Sequence, residues 1–176
     1  MQITYNNKKH EKDILEKTPK AKLKVVSGKG VKNKLIYADN LSTLKTLLVD
    51  YAGKVDLIYI DPPFSTNGHF KISEDRANTI SSSNGDAIAY SDTLVGAEFL
   101  EFLRERLIFL RELLSERGSI YLHIDYKIGH YVKLIMDEVF GRDMFRNDIT
   151  RIKCNPKNFH RKAYGNIKDL ILFYSK

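Results

Sequence analysis

The chain has 176 residues, 43% of them hydrophobic, which is enough for one domain with a buried core. No apolar run approaches the roughly 18 residues of a membrane span, the lysines at the N-terminus are not followed by the apolar stretch of a secretory signal, and the single cysteine, Cys154, excludes an internal disulfide, so a reducing cytoplasm fits. The formal charge of +7 is uneven: residues 1–34 carry +7, residues 142–176 carry +6 and the middle carries −6, a pattern that suits either a polyanion held by two basic ends or a solvated surface.

Taken in chain order, residues 1–33 read as a basic, mostly mobile arm with a short helix near Lys9–Lys17. "KLIYADN" (34–40) reads as a strand that ends in polar residues. Leu41, Leu44, Leu47 and Leu48 then recur at helical spacing, and Gly53 is placed to cap that helix. The next apolar segment, Val55–Ile60, is rich in β-branched and aromatic residues and reads as a buried strand. Strand, helix and strand in about thirty residues predict a βαβ unit.

Residues 65–91 hold many Ser, Asn and Gly and few large apolar residues, so a long, mobile loop is expected. Phe99, Phe102, Leu103, Leu107, Leu110, Leu113 and Leu114 mark an amphipathic helix over 98–116, which Gly118 should close. "SIYLHI" (119–124) is the next strand, with Asp125 at its end. A helix over 131–140 and two strands, 148–153 and 170–175, complete the pattern. The alternation predicts an α/β fold with a mainly parallel sheet. The last two strands, with no helix between them, predict an antiparallel hairpin.

The chemistry concentrates at "DPPF", Asp61 to Phe64. Pro62 and Pro63 cannot donate to a sheet ladder and fix their own φ. They stop the strand and hold Asp61 at its carboxyl end, where open α/β sheets bind ligands. An exocyclic amine on a base is a poor nucleophile, because its lone pair is delocalised into the ring. A carboxylate and a backbone carbonyl, each accepting one amine hydrogen, oppose that delocalisation and stabilise the developing positive charge. An aromatic ring can stack on a base taken out of a duplex.

"DPPF" after an apolar strand resembles the catalytic motif of amino-group DNA methyltransferases. "NKLIYADNLSTLKTLL", "VDLIYIDPPFSTN", "YSDTLVGAEFLEFLRERLIFLRELLSERGSIYLHID", "MDEVFGRDMFRNDITRIKCNPKNF" and "NIKDLILFYSK" follow one another as in the N6-adenine/N4-cytosine family, in its permuted β-class and type III-like members. The resemblance covers residues 33–176.

That resemblance implies a Rossmann-like, S-adenosylmethionine-dependent methyltransferase fold, here incomplete, with the catalytic part at 34–176. It implies restriction–modification methylation of double-stranded DNA. Asp61 and the Pro62 carbonyl would accept from the target amine, Pro63 would shape the site and Phe64 would stack on the base. Asp39 and Asn40, with Asp61, would lie near the cofactor; Ala38 stands where glycine is common. Asp at the first motif position leans to adenine N6. Cytosine N4, RNA as substrate and an inactive nucleic-acid-binding remnant are the alternatives.

Other readings stay open. Asp39 can also cap the helix after it. Lys157, Arg161 and Lys162 can contact phosphates or face solvent. Asp125 reads as a capping or surface residue. The five histidines show no zinc spacing, so they are read as ordinary surface or core residues and no metal is expected. No glycine-rich "FxGxG"-type segment is present. That segment, two central strands and a target recognition region are expected in a C-terminal complementing segment or subunit; a second copy or a restriction subunit is a further candidate partner. Without those strands, "KLIYADN" and "VDLIYI" should show unpaired edges, and the chain alone should be poorly stable or self-associating and bind cofactor weakly.

Overall fold

In the computed structural model, which describes residues 2–28, 30, 32–63, 68–72, 87–92, 96–153 and 165–176, side-chain alternation sets the central sheet. The elements in order are α1 (Glu11–Lys17), α2 (Asn40–Tyr51), β1 (Val55–Ile60), β2 (Gly68–Ile72), β3 (Ala87–Asp92), α3 (Gly96–Leu113), β4 (Leu114–Asp125), α4 (Tyr126–Phe140), a 3₁₀ turn (Arg142–Met144), β5 (Phe145–Ile152) and β6 (Lys168–Ser175). The sheet order is β1-β4-β6-β5. β1 runs parallel to β4, while β6 is antiparallel to both β4 and β5. The α/β expectation and the C-terminal antiparallel hairpin hold. The expectation of a mainly parallel sheet does not: among the described strands the sheet is mixed, and parallel pairing is confined to β1 and β4.

One face of the sheet is dry. Ile58, Ile120, Leu122, Ile124, Leu170, Leu172 and Tyr174 are buried there, together with Phe99, Leu103 and Leu107 of α3 and Val132, Ile135 and Met136 of α4. Burying each such side chain contributes roughly 1.5–3 kcal/mol. α2 lies against α3 through Leu41, Leu44, Leu47 and Leu48. Tyr174 reaches out of the core to donate to Asp137 (2.7 Å), and burial with that hydrogen bond pushes its phenol pKa up.

Four further expectations need correction. Residues 34–39 form no strand: Leu35 and Tyr37 are fully exposed, and no described strand lies beside them to supply a ladder. Residues 2–18 are docked instead of forming a mobile arm. Ile14 is buried, Tyr5 donates to Glu101 (2.5 Å), and Lys8 and Arg104 clasp Glu138 at 2.6 and 2.9 Å. Burial raises the Glu138 carboxyl, but the two cations outweigh it and hold the group below its ordinary value. Gly118 does not close α3, which ends at Leu113. It lies within β4, where a Cβ would meet the Leu114 side chain at 2.6 Å and the Val55 carbonyl at 2.9 Å. Within 65–91, β2 and β3 pair as an antiparallel hairpin. Gly53, with φ of 67°, follows α2 as expected.

β1 is an edge strand of this sheet, and Leu57 and Tyr59 are 64% and 58% exposed on the face away from the helices. An open edge beside apolar side chains is a template for pairing. The chain by itself is therefore expected to self-associate with rising concentration, and Tyr59→Lys to reduce that association. Sedimentation velocity checks this; a wild-type chain that stays monomeric over a hundredfold concentration range contradicts it.

Candidate active site

Asp61 follows β1 directly, and the pairing of Ile60 with Leu122 places it beside His123 of β4. Asp61 Oδ1 lies 3.0 Å from His123 Nδ1. The Asp61 side chain is 56% exposed, whereas that of His123 is 8% exposed. Pro62 and Pro63 are half-buried. The candidate acceptor thus stands at the carboxyl edge of a parallel pair, open on one side and held on the other.

The holding side is built from alternation. Along β4, Ile120, Leu122 and Ile124 face the helices, so Tyr121, His123 and Asp125 take the opposite face. Antiparallel register sets Asp125 opposite Asp169 of β6, and Asp169 opposite Arg151 of β5. His123 Nε2 lies 3.3 Å from Asp169 Oδ2. Arg151 Nη1 is 3.2 Å from that same oxygen, and Lys153 Nζ pairs with Asp169 Oδ1. Lys153 also lies 3.7 Å from Asp125 Oδ2, while Asp125 Oδ1 accepts from the Lys127 N–H at 2.8 Å and caps α4. The capping reading of Asp125 holds, although the residue is buried and not on the surface. A stacked pair, Tyr121 on Phe173 at 4.5 Å, lies one row away on the same face.

Asp39 N-caps α2. Its Oδ1 accepts from the Ser42 N–H (2.9 Å) and hydroxyl (2.8 Å), which hold the carboxyl below its ordinary range; Arg106 adds a smaller effect. Asn40 opens the helix and accepts from Arg106 Nε at 2.8 Å. Asn40 therefore meets α3, while Asp61 meets His123 of β4. An exposed carboxylate can accept from hydroxyl or ammonium donors, and Asp39 and Asp61 are both exposed.

Phe64, Lys157, Arg161, Lys162 and Cys154 lie outside the described residues. No cluster of three or more metal-ligating side chains occurs among the described residues, and no helix of these is long and apolar enough to cross a membrane. Sequence reasoning missed His123, Asp169, Arg151 and Lys153 as neighbours of Asp61. The available signal was parity: His123 and Asp125 alternate with three aliphatic residues in "SIYLHID" and so share a face.

A family model described as DNA methylase matches residues 55–176. The chain is 38% identical over 180 residues to the type II methyltransferase M.EcaI of Enterobacter cloacae, covering 99% of this chain and 37% of that protein. It is 33% identical to the Mod subunit of the type III restriction-modification enzyme EcoPI of Escherichia phage P1, covering 84% of this chain and 25% of that one. A crystal structure of an M1.HpyAVI–SAM complex aligns with a TM-score of 0.48 and 18% identity, over 80% of this chain and 53% of that chain. The chain spans well under half the length of these two sequence relatives.

Replacing Asp39 by Ala is expected to cost about 1 kcal/mol through the lost cap, with Asp39→Asn nearer to wild type. The cap's carboxyl is depressed in the folded state, so its contribution is complete above the ordinary carboxylate range. It fades as pH falls through the depressed value. Urea midpoints of both variants at neutral and acid pH check the size and the sign.

Proposed function

The chain belongs to the DNA methylase family, and from that membership we propose that it carries the catalytic Asp-Pro-Pro-Phe part of a restriction–modification methyltransferase acting on adenine N6 in double-stranded DNA. The observation that supports this most is the position of Asp61: an exposed carboxylate at the carboxyl end of a parallel strand, fixed from behind by His123. A carboxylate there can take a hydrogen from an incoming amine without turning away.

In this reading Asp61 accepts one hydrogen bond from the target amine and the Pro62 carbonyl accepts the second. Together they draw the nitrogen lone pair out of conjugation and stabilise the positive charge that forms on nitrogen. Pro63 and Pro62 stiffen the backbone that holds both acceptors. Phe64 offers an aromatic face to the extruded base. S-adenosylmethionine, when bound, supplies an electrophilic methyl group on a sulfonium centre. Asp39, with its ionised carboxyl, and Asn40 are the candidates for its hydroxyl-bearing end, and Asp61 borders its reacting end. Lys157, Arg161 and Lys162 supply positive charge for DNA phosphates. A further methylase segment or subunit completes the cofactor pocket and the reading of sequence. Restriction subunits and second copies are additional partners of this proposal.

The test is methyl transfer from labelled S-adenosylmethionine to unmethylated DNA, by the chain alone and with its complementing segment, followed by nucleoside analysis. N6-methyladenine is the expected product, and Asp61→Ala should lower the rate by at least about a hundredfold. N4-methylcytosine would reassign the target, and an active Asp61→Ala protein would overturn the role of the motif.

A further inference from the structure

We infer that His123 is a positioning residue for Asp61, and that the row Asp61–His123–Asp169, closed by Arg151 and Lys153, fixes which carboxylate oxygen faces the substrate. This inference rests on the catalytic reading of Asp61 given above.

The geometry carries it. Accepting one amine hydrogen in a defined direction needs a carboxylate with a fixed rotamer, yet more than half of the Asp61 side chain is exposed. Nothing in an exposed carboxylate's own preferences chooses one oxygen over the other. His123 does so: its Nδ1–H donates to Oδ1 at 3.0 Å and directs Oδ2 to the remaining bonding partner. The other ring nitrogen lies 3.3 Å from Asp169 Oδ2, so the imidazole stands between two carboxylates. Asp169 is 2% exposed, so its charge needs close partners. Arg151 and Lys153, at the far edge of the sheet, provide them. Lys153 links on to Asp125 and thereby to the start of α4.

Sheet register places the row, with Asp61 and Lys153 one residue beyond the ends of their strands. Residue 61 follows the Ile60–Leu122 pair, His123 and Asp125 share a face of β4, and Asp169 pairs with both Asp125 and Arg151. Two carboxylates flank the imidazole, and the buried one, Asp169, meets two cations, an arrangement that is costly unless each charge stays paired. Such a row resists rotation of Asp61 more than packing alone would. A second nitrogen partner that sets ring orientation is also how histidines elsewhere fix a reacting neighbour.

The variants separate positioning from packing. His123→Ala should lower kcat about ten- to a hundredfold, the scale of a misplaced catalytic group, with KM for DNA and for S-adenosylmethionine unchanged within about twofold. His123→Asn, whose amide nitrogen can occupy the place of Nδ1, should recover most of the rate. His123→Gln, which reaches the place of Nε2 instead, should not. These assays use the chain with its complementing segment. Imidazole ¹H–¹⁵N spectra provide a readout free of turnover: His123 should show a protonated Nδ1 whose resonance moves in Asp61→Ala. An unprotonated Nδ1, or a resonance indifferent to Asp61→Ala, overturns the inference. So does an unaltered kcat in His123→Ala when Asp61→Ala is inactive. If both alanine variants are fully active, the catalytic reading of Asp61 itself has failed.

Discussion

A parallel pairing between two short strands sets everything that follows at this site. β1 and β4 meet in register from Leu57–Ser119 to Ile60–Leu122, so the chain leaves β1 at the level of His123. Because β-strand side chains alternate, the same register that buries Ile58 with Ile120 and Leu122 among α3 and α4 turns Tyr121, His123 and Asp125 to the opposite face. A shift of one residue would send the aliphatic side chains to the open face and the histidine into the core. The cost of that error, several buried aliphatic groups at roughly 1.5–3 kcal/mol each, protects the alignment of Asp61 with its support. Core packing and site geometry are two faces of one alignment.

The two ends of the domain contribute in different ways. The N-terminal residues are fastened to the outer side of α3 and α4 by Tyr5, Lys8 and Arg104 around Glu101 and Glu138. This network lies on the helices and not on the open sheet face, so it stabilises the layer behind the site. The β5–β6 hairpin supplies Arg151, Lys153 and Asp169 to the other side. Several basic side chains at the two ends are thus held in internal ion pairs. The formal net charge of +7 already counts the acids they meet, so pairing changes where the excess lies and not its size.

Where local pattern decides structure, the sequence was readable. The Leu and Phe spacing of α3, the apolar run of β1, the prolines that end it and the hairpin of β5 and β6 all follow from neighbours a few residues apart. Asp39 was readable as a cap because it stands just before leucines at helical spacing, and its carboxylate accepts from the Ser42 N–H. What was not readable depends on contacts distant along the chain. "KLIYADN" has strand composition but no strand to pair with among the described residues. Gly118 resembles a helix stop, yet its role is the close approach of Val55 and Leu114. His123 fits no metal spacing, and only its parity in β4 hints that it shares a face with Asp125 and a level with Asp61. Phe64 and the three basic residues at 157, 161 and 162 lie outside the described residues, so the role of Phe64 rests on the family resemblance and that of the basic residues on their charge.

The most direct measurement is a crystal structure of the complemented protein with an oligonucleotide carrying its target base. The account predicts an exocyclic amine within hydrogen-bond distance of Asp61 Oδ2 and the Pro62 carbonyl, with Oδ1 still on His123. An amine bound away from Asp61, or an Asp61 carboxylate turned off His123 with both oxygens in solvent, would contradict it.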